Sequence, residues 1–210
     1  RRGIELQSYP EALGELTRRY FTIAVSGSHG KSTTSALIAL ILVRAGLDPT
    51  VIIGTKLHEF SSSANNEFGS NFRIGKSNYL VIEADEWNRS FHHYAPDVAV
   101  LTNIDKEHLD TYKTYAGVVR GFAEYLRNVK PGGVIVANWK DRGIRKAIQT
   151  SNFKHRTTKV IWYNRGKFKR HPVGIPGKHN QLNAEAAWRA AKMLGVRRSA
   201  RGFTQATTRQ

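Results

Sequence analysis

The chain has 210 residues, 40% of them hydrophobic, enough to bury one full core with a small appendage. It contains no cysteine, which excludes a disulfide framework and a thiolate metal site. Thirty-three basic against 16 acidic side chains leave a net charge of +17, yet no helix-turn-helix, zinc-finger or aromatic-on-strand motif accompanies it.

The densest basic clusters fall at residues 154–156, at 165–171 and near the end of the chain. Dispersed in this way, the excess reads as a solvated surface with non-specific polyanion affinity at most, and a nucleic-acid partner is not expected. No apolar run reaches the length of a membrane span. The nearest, residues 36–43, is far too short, so membrane insertion is not expected either. Arg1 and Arg2 are not followed by the apolar core of a secretory leader, and the expected location is the cytoplasm.

In chain order, Ser8 is placed to cap a short helix through EALGELTRRY, with Pro10 in its first turn. Residues 20–25 are apolar and partly β-branched, as a buried strand is. The turn GSHG follows, and then a helix-forming run from Lys31 to about Ala45, stopped by Gly46 with Pro49 just beyond. TVIIG at 50–54 is the next strand, completing a β-α-β unit. Between Thr55 and Lys76 the pattern breaks into serine, asparagine and glycine, a long loop or a small irregular strand pair.

Two apolar runs come next, 79–82 ending in EADE and 97–101 ending in TNIDKEHLD. Val118, Val119, Phe122, Tyr125, Leu126 and Val129 repeat at helical spacing, and Pro131-Gly132-Gly133 ends that helix. A strand at 134–137, a helix through DRGIRKAI, a strand at 159–163 and an alanine-rich helix at 181–194 stopping at Gly195 complete the series. Residues 197–210 carry no clear core pattern, and there is no internal repeat. The sum is an α/β fold with a mostly parallel sheet flanked by helices. In such a sheet ligands bind beyond the carboxyl ends of the strands, where the glycine turn, Glu83 and the 103–110 segment meet at one rim.

The stretch GSHGKSTT, at 27–34, carries the chemistry. Gly27 and Gly30 bring the backbone close, so that the turn Gly27-Ser28-His29-Gly30 and the first helical residues, Lys31, Ser32 and Thr33, point N–H groups at a phosphate. Lys31 supplies a point charge and the Ser32 hydroxyl a Mg²⁺ ligand. The pattern is the short GxxGK[ST], because Val25 stands where the longer P-loop has glycine. Glu83 and His108 are candidate metal ligands beside Ser32. Otherwise Glu83 is a strand-end carboxylate paired with a lysine, and His108 a hydrogen-bonded or helix-capping histidine. Asp85 and Glu86 do not suit a glycosidase-type pair beside a phosphate loop. Asn180 and Asn183, beside His179, suit an adenine edge, with a helix cap by Asn180 as the plain alternative. His92-His93 has no partner at zinc-ligand spacing.

In their order, GSHGKSTT, EADE, TNIDKEHLDTY and GKHNQLNAEAA resemble the Mur ligases, ATP-dependent amide-forming enzymes of peptidoglycan precursor synthesis. AGLDPTVIIG, EADEWNRSF and PGKHNQLNAEAA are most similar to the branch adding L-alanine to UDP-N-acetylmuramate, with the murein tripeptide recycling ligases next. The resemblance implies a P-loop-like central domain: six mostly parallel strands, flanking helices and a small antiparallel subsheet. It implies Lys31 on the ATP phosphates, Ser32 and Glu83 on Mg²⁺, His108 at a second Mg²⁺, and Asn180 and Asn183 near adenine.

The implied reaction passes through an acyl phosphate on the muramate carboxylate, attacked by the amine of L-alanine. Residues 1–19 are then expected to be a connector from an amino-terminal domain, 20–196 the ATP-binding domain, and 197–210 a tail or the start of a carboxy-terminal domain. The UDP-sugar and the amino acid would be recognised through those other domains. The chain alone is expected to bind Mg-ATP weakly without making the amide. Ser28 and Ser32 replace the family's usual threonines, Glu107 its aspartate, and Trp87-Asn88 a Ser-Asp pair. The same ATP domain serves other amino-acid ligases, including folate polyglutamate ligases. A polyanion binder that kept the fold is the reading of another class.

Overall fold

The computed structural model describes residues 6–60, 69–152, 157–165 and 176–196. The basic cluster at 154–156, most of that at 165–171 and the segment 197–210 lie outside them, as does much of the irregular stretch after Thr55.

Helix α1 (Tyr9–Arg19) starts at Ser8, whose N–H and hydroxyl both donate to the Glu11 carboxylate, at 2.8 and 2.6 Å. Strand β1 (Phe21–Ser26) leads through the glycine turn into α2 (Lys31–Arg44), buried from Thr34 to Leu42. Gly46, at φ 74°, ends α2, with the Leu47 N–H returning to the Leu42 carbonyl at 3.0 Å. Then come β2 (Thr50–Leu57), β3 (Ser70–Arg73), β4 (Tyr79–Glu83), a kinked 3₁₀ segment (Trp87–His93) and β5 (Val98–Leu101). The chain continues through α3 (Leu109–Tyr112), α4 (Tyr115–Leu126), β6 (Val134–Asn138), α5 (Arg142–Thr150), β7 (Lys159–Tyr163) and α6 (Lys178–Lys192).

The strands form one sheet in the order β3-β2-β4-β1-β5-β6-β7. From β2 to β7 all neighbours are parallel, and β3 runs antiparallel on the outer edge of β2. The antiparallel piece is therefore an extension of the main sheet, not a separate one. The β-α-β unit expected from β1 and β2 leaves a gap between them, and β4 fills it by pairing with both.

Side chains alternate across the strands and build two cores. Ile23, Val25, Val51, Val81 and Val100 face α2 and α6. Ala24, Leu80, Ile82, Ala99 and Leu101 face the layer holding Leu13, Phe122 and Ile144, from α1, α4 and α5. Burial on both faces is why these strands read as continuous apolar runs. Tyr125 and Phe91, both fully buried, stack with ring centroids 4.6 Å apart in the second core.

β1 sits at the switch point, with β4 on one side and β5 on the other. The register sets Val25 level with Glu83 and Ser26 level with Leu101, so three strands end flush. Everything immediately after them shares one rim.

Candidate functional site

Gly27 and Gly30 take φ of 138° and 81°, conformations that favour glycine. The turn they bracket is tied to the segment after β5. The Thr102 hydroxyl and the Asn103 amide donate to the His29 carbonyl at 2.7 and 2.9 Å. In return the His29 N–H donates to Asn103 Oδ1 at 2.8 Å, and the Ser28 N–H to the Asn103 carbonyl at 3.0 Å. The Ser28 hydroxyl accepts from the Asp105 N–H at 2.8 Å. Ser28 and His29 thus spend their N–H groups on Asn103, which differs from the expectation that the whole turn points donors at an anion. Among the first helical residues, Lys31, Ser32 and Thr33 begin α2, where helix geometry supplies no internal acceptor for N–H.

Lys31 folds back over the turn. Its ammonium donates to the Gly27 carbonyl at 2.9 Å and to Glu86 Oε2 at 3.0 Å. Glu83, at the end of β4, is held elsewhere. Its Oε2 accepts from the Ser32 hydroxyl at 3.1 Å, and its Oε1 from the Gly54 N–H at 2.7 Å and the Ser35 hydroxyl at 3.2 Å. The lysine partner that the plain reading offered Glu83 belongs to Glu86 instead.

Glu86 is 1% exposed. Its Oε1 is buried without a hydrogen-bond partner, and the Nε2 of His108 lies 3.8 Å from it. Burial pushes the Glu86 carboxyl above the ordinary carboxylate range, against the opposing pull of Lys31. Asp85, Glu86 and His108 each offer a ligand atom, all within 4.8 Å of one another. His108 stands at the N-cap position of α3 with φ 54°, as its capping alternative has it, but its side chain makes no cap hydrogen bond there. The structure therefore gathers Lys31, Ser32, Glu83 and His108 at one rim, with Glu86 linking the ammonium to the imidazole.

Asn183 lies buried against the turn, and a Cβ on Gly30 would come within 2.6 Å of its Oδ1. Asn180 is inside the first turn of α6, whose cap position is Gly177, so the alternative of a cap by Asn180 is not formed. The Asn180 amide instead donates to the Pro176 carbonyl at 2.8 Å. His92 donates from Nε2 to the Gly121 carbonyl at 2.9 Å and stacks on Phe91.

Sequence reasoning missed Glu86, Thr102 and Asn103. A carboxylate that neighbours an already interesting one, and a Thr-Asn pair at a strand end, were the available signals. The donor set suits a hard divalent cation. Ser32 Oγ and Glu83 Oε2 are adjacent oxygens, and Glu86 brings an unsatisfied buried oxygen beside an imidazole. With an ammonium and a helix N-terminus beside these oxygens, the rim can hold a phosphate chain and its counter-cations together.

Residues 25–160 match the family model described as the Mur ligase middle domain. The UDP-N-acetylmuramate–L-alanine ligase of Caldanaerobacter subterraneus is 36% identical across 92% of this chain and 45% of that protein. The enzyme of the same name from Aquifex aeolicus is 37% identical across 93% of this chain and 46% of that protein. The chain thus spans less than half the length of either relative. Among solved structures, the UDP-N-acetylmuramate:L-alanyl-γ-D-glutamyl-meso-diaminopimelate ligase of Neisseria meningitides superposes with a TM-score of 0.78 at 24% identity, covering 96% of this chain and 71% of that one. The UDP-N-acetylmuramate–alanine ligase of Thermotoga maritima does so with 0.68 at 22%, covering 94% and 46%. At those identities the superpositions speak for the fold.

Proposed function

The chain belongs to the Mur ligase family, and we propose that it handles ATP within a ligase of peptidoglycan precursor synthesis that joins L-alanine to UDP-N-acetylmuramate. The observation that supports this most is the shared rim. Lys31 and Ser32, at the start of α2, meet there the carboxylates of Glu86 and Glu83 respectively.

In this reading the Lys31 ammonium takes a point position on the outer phosphates, and the N–H groups of the first turn of α2 bind their oxygens. Thr102 and Asn103 tie the turn to the end of β5, which holds its backbone in place as charge develops. Ser32 and Glu83 would hold one Mg²⁺, and His108 would face a second. When bound, the metal neutralises phosphate charge. Asn183 braces Gly30, which puts it behind the turn, and Asn180 remains the candidate for contact with the base.

The carboxylate of the UDP-sugar substrate accepts the γ-phosphoryl group with release of ADP, and the amine of alanine then attacks the acyl carbon, forming the amide and expelling phosphate. Residues 20–196 are proposed as the ATP-binding unit, with the sugar and amino acid recognised mainly by other parts of a full-length ligase. The two relatives' names favour alanine as the amino acid. A cytoplasmic location fits nucleotide-dependent chemistry, and among the described residues no helix is long and apolar enough to cross a membrane.

Calorimetric titration of ATP with Mg²⁺ tests the proposal on the chain itself. The wild type is expected to bind in a Mg²⁺-dependent manner, Lys31→Ala to lose binding and Glu83→Gln to lose its Mg²⁺ dependence. Binding unchanged in Lys31→Ala, or none in the folded wild type, would refute it.

A further inference from the structure

Glu86 has no place in the scheme above, yet it is the most constrained ionisable group at the rim. Its backbone is pinned. The Tyr112 hydroxyl donates to its carbonyl at 2.6 Å, as does the Arg89 N–H at 3.1 Å, and the neighbouring Asp85 carbonyl accepts from the Phe91 N–H at 3.0 Å. The side chain therefore stays buried. Its two oxygens live differently, Oε2 paired with Lys31 at 3.0 Å and Oε1 bonded to nothing.

A buried carboxylate tolerates its charge only beside a countercharge. Lys31 provides one here, and the same ammonium is the group that must reach a phosphate. Once it does, Glu86 stands to lose its counter-ion inside the protein. What surrounds the unsatisfied oxygen is a ligand set: His108 Nε2 at 3.8 Å, and Asp85 exposed at the mouth. Glu83 lies apart from that set, its oxygens turned to Ser32, Ser35 and Gly54.

We propose that Glu86 is an exchangeable counter-ion, paired with Lys31 when no nucleotide is bound and, once Lys31 turns to phosphate, a ligand with Asp85 and His108 of a divalent cation. The proposal rests on the nucleotide reading only in naming what draws Lys31 away. The exchange couples two events at one residue: a cation on Glu86 releases the lysine, and a phosphate on the lysine opens Glu86 to the cation. Two carboxylates and an imidazole suit Mn²⁺ at least as well as Mg²⁺.

Mn²⁺ titration of the nucleotide-free chain, followed by loss of the six-line spectrum of the aqueous ion, isolates the site from ATP. Lys31→Met removes the competing ammonium and is expected to bind Mn²⁺ at least tenfold more tightly than the wild type. Adding Asp85→Asn or His108→Gln should abolish the gain, and adding Glu86→Gln should too. Asp85 is exposed, so its substitution does not threaten the fold, and circular dichroism checks the others. No gain in Lys31→Met, or a gain that survives Asp85→Asn and His108→Gln, would overturn the proposal. In that event Glu86 meets the loss of its partner by taking a proton. A wild type that fails to bind Mg-ATP beside a Lys31→Met chain that gains Mn²⁺ would defeat the functional reading and leave this site standing. The reverse pair of results would do the opposite.

Discussion

The hydroxyl of Thr102 occupies the space that a side chain on Gly27 would need, and from there it donates to the His29 carbonyl at 2.7 Å. One contact thus forbids a methyl group at the start of the turn and ties the turn to the end of β5. Gly27→Ala adds the strain of φ 138° to that collision. The expected loss is roughly 2–4 kcal/mol, by analogy with strained backbone and overpacked sites. Urea unfolding measures it, and Mg-ATP affinity should fall with it. Thr102→Ala in the same chain should return part of the stability, since the collision with the hydroxyl goes while that with the Asn103 carbonyl, at 2.8 Å, stays.

Gly30 and Asn183 make a second such pair. Gly30→Ala must hold an alanine at φ 81° and push the Asn183 amide back from 2.6 Å. The backbone alone costs about 1–2 kcal/mol. Asn183 is a side chain and can be trimmed, so Gly30→Ala with Asn183→Ala should be less destabilised than the sum of the single changes. A coupling of roughly 0.5–1.5 kcal/mol is expected for residues in contact, and a double-mutant cycle in urea reads it.

α6 packs its alanines so closely against α2 that Ala184, Ala187 and Ala191 have no exposed surface. Ala187→Leu therefore has no room. It should cost about 1–3 kcal/mol through displaced neighbours. Because α6 also carries Asn183, its displacement should weaken Mg-ATP binding from outside the rim. Equilibrium unfolding and ATP titration on one preparation check both.

His92 ties stability to pH. Burial holds its imidazole below the ordinary range, despite the Gly121 carbonyl and the Glu124 carboxylate, while Arg89 and His93 add to the lowering. The unfolded chain then takes the proton more readily than the folded one. The stability is present above the ordinary histidine value of about 6.5 and is lost as pH falls through the lower folded value. Thermal midpoints should drop between pH 7 and pH 5 in the wild type, and drop less in His92→Gln. Equal slopes in the two proteins would show that other groups carry the effect.

How much of this could be read from the chain depended on distance along it. Strand, glycine turn and helix from Phe21 to Arg44 were readable because each signal lies within a few residues of what it controls: a buried run, two glycines, a lysine-hydroxyl pair and a stop at Gly46. The buried positions from Val118 to Leu126 were readable for the same reason, since one helical period presents them to one core; Val129 joins that core from beyond the end of α4. The placement of β4 between β1 and β2 was not, because any parallel strand with two apolar faces satisfies the local pattern equally well.

The site divides along the same line. That Lys31, Glu83 and His108 follow strand ends is a sequence property, and it sufficed to expect them at one rim. Which carboxylate pairs with the lysine was decided only by the fold, because Glu83 and Glu86 differ by a few bonds in sequence and by their whole environment in space. Gly54, Ser32 and Ser35 come from two other elements to claim Glu83, and the surrounding core closes over Glu86. Hydrogen-bond partners and desolvation are set by what packs nearby, and a linear pattern does not carry that information.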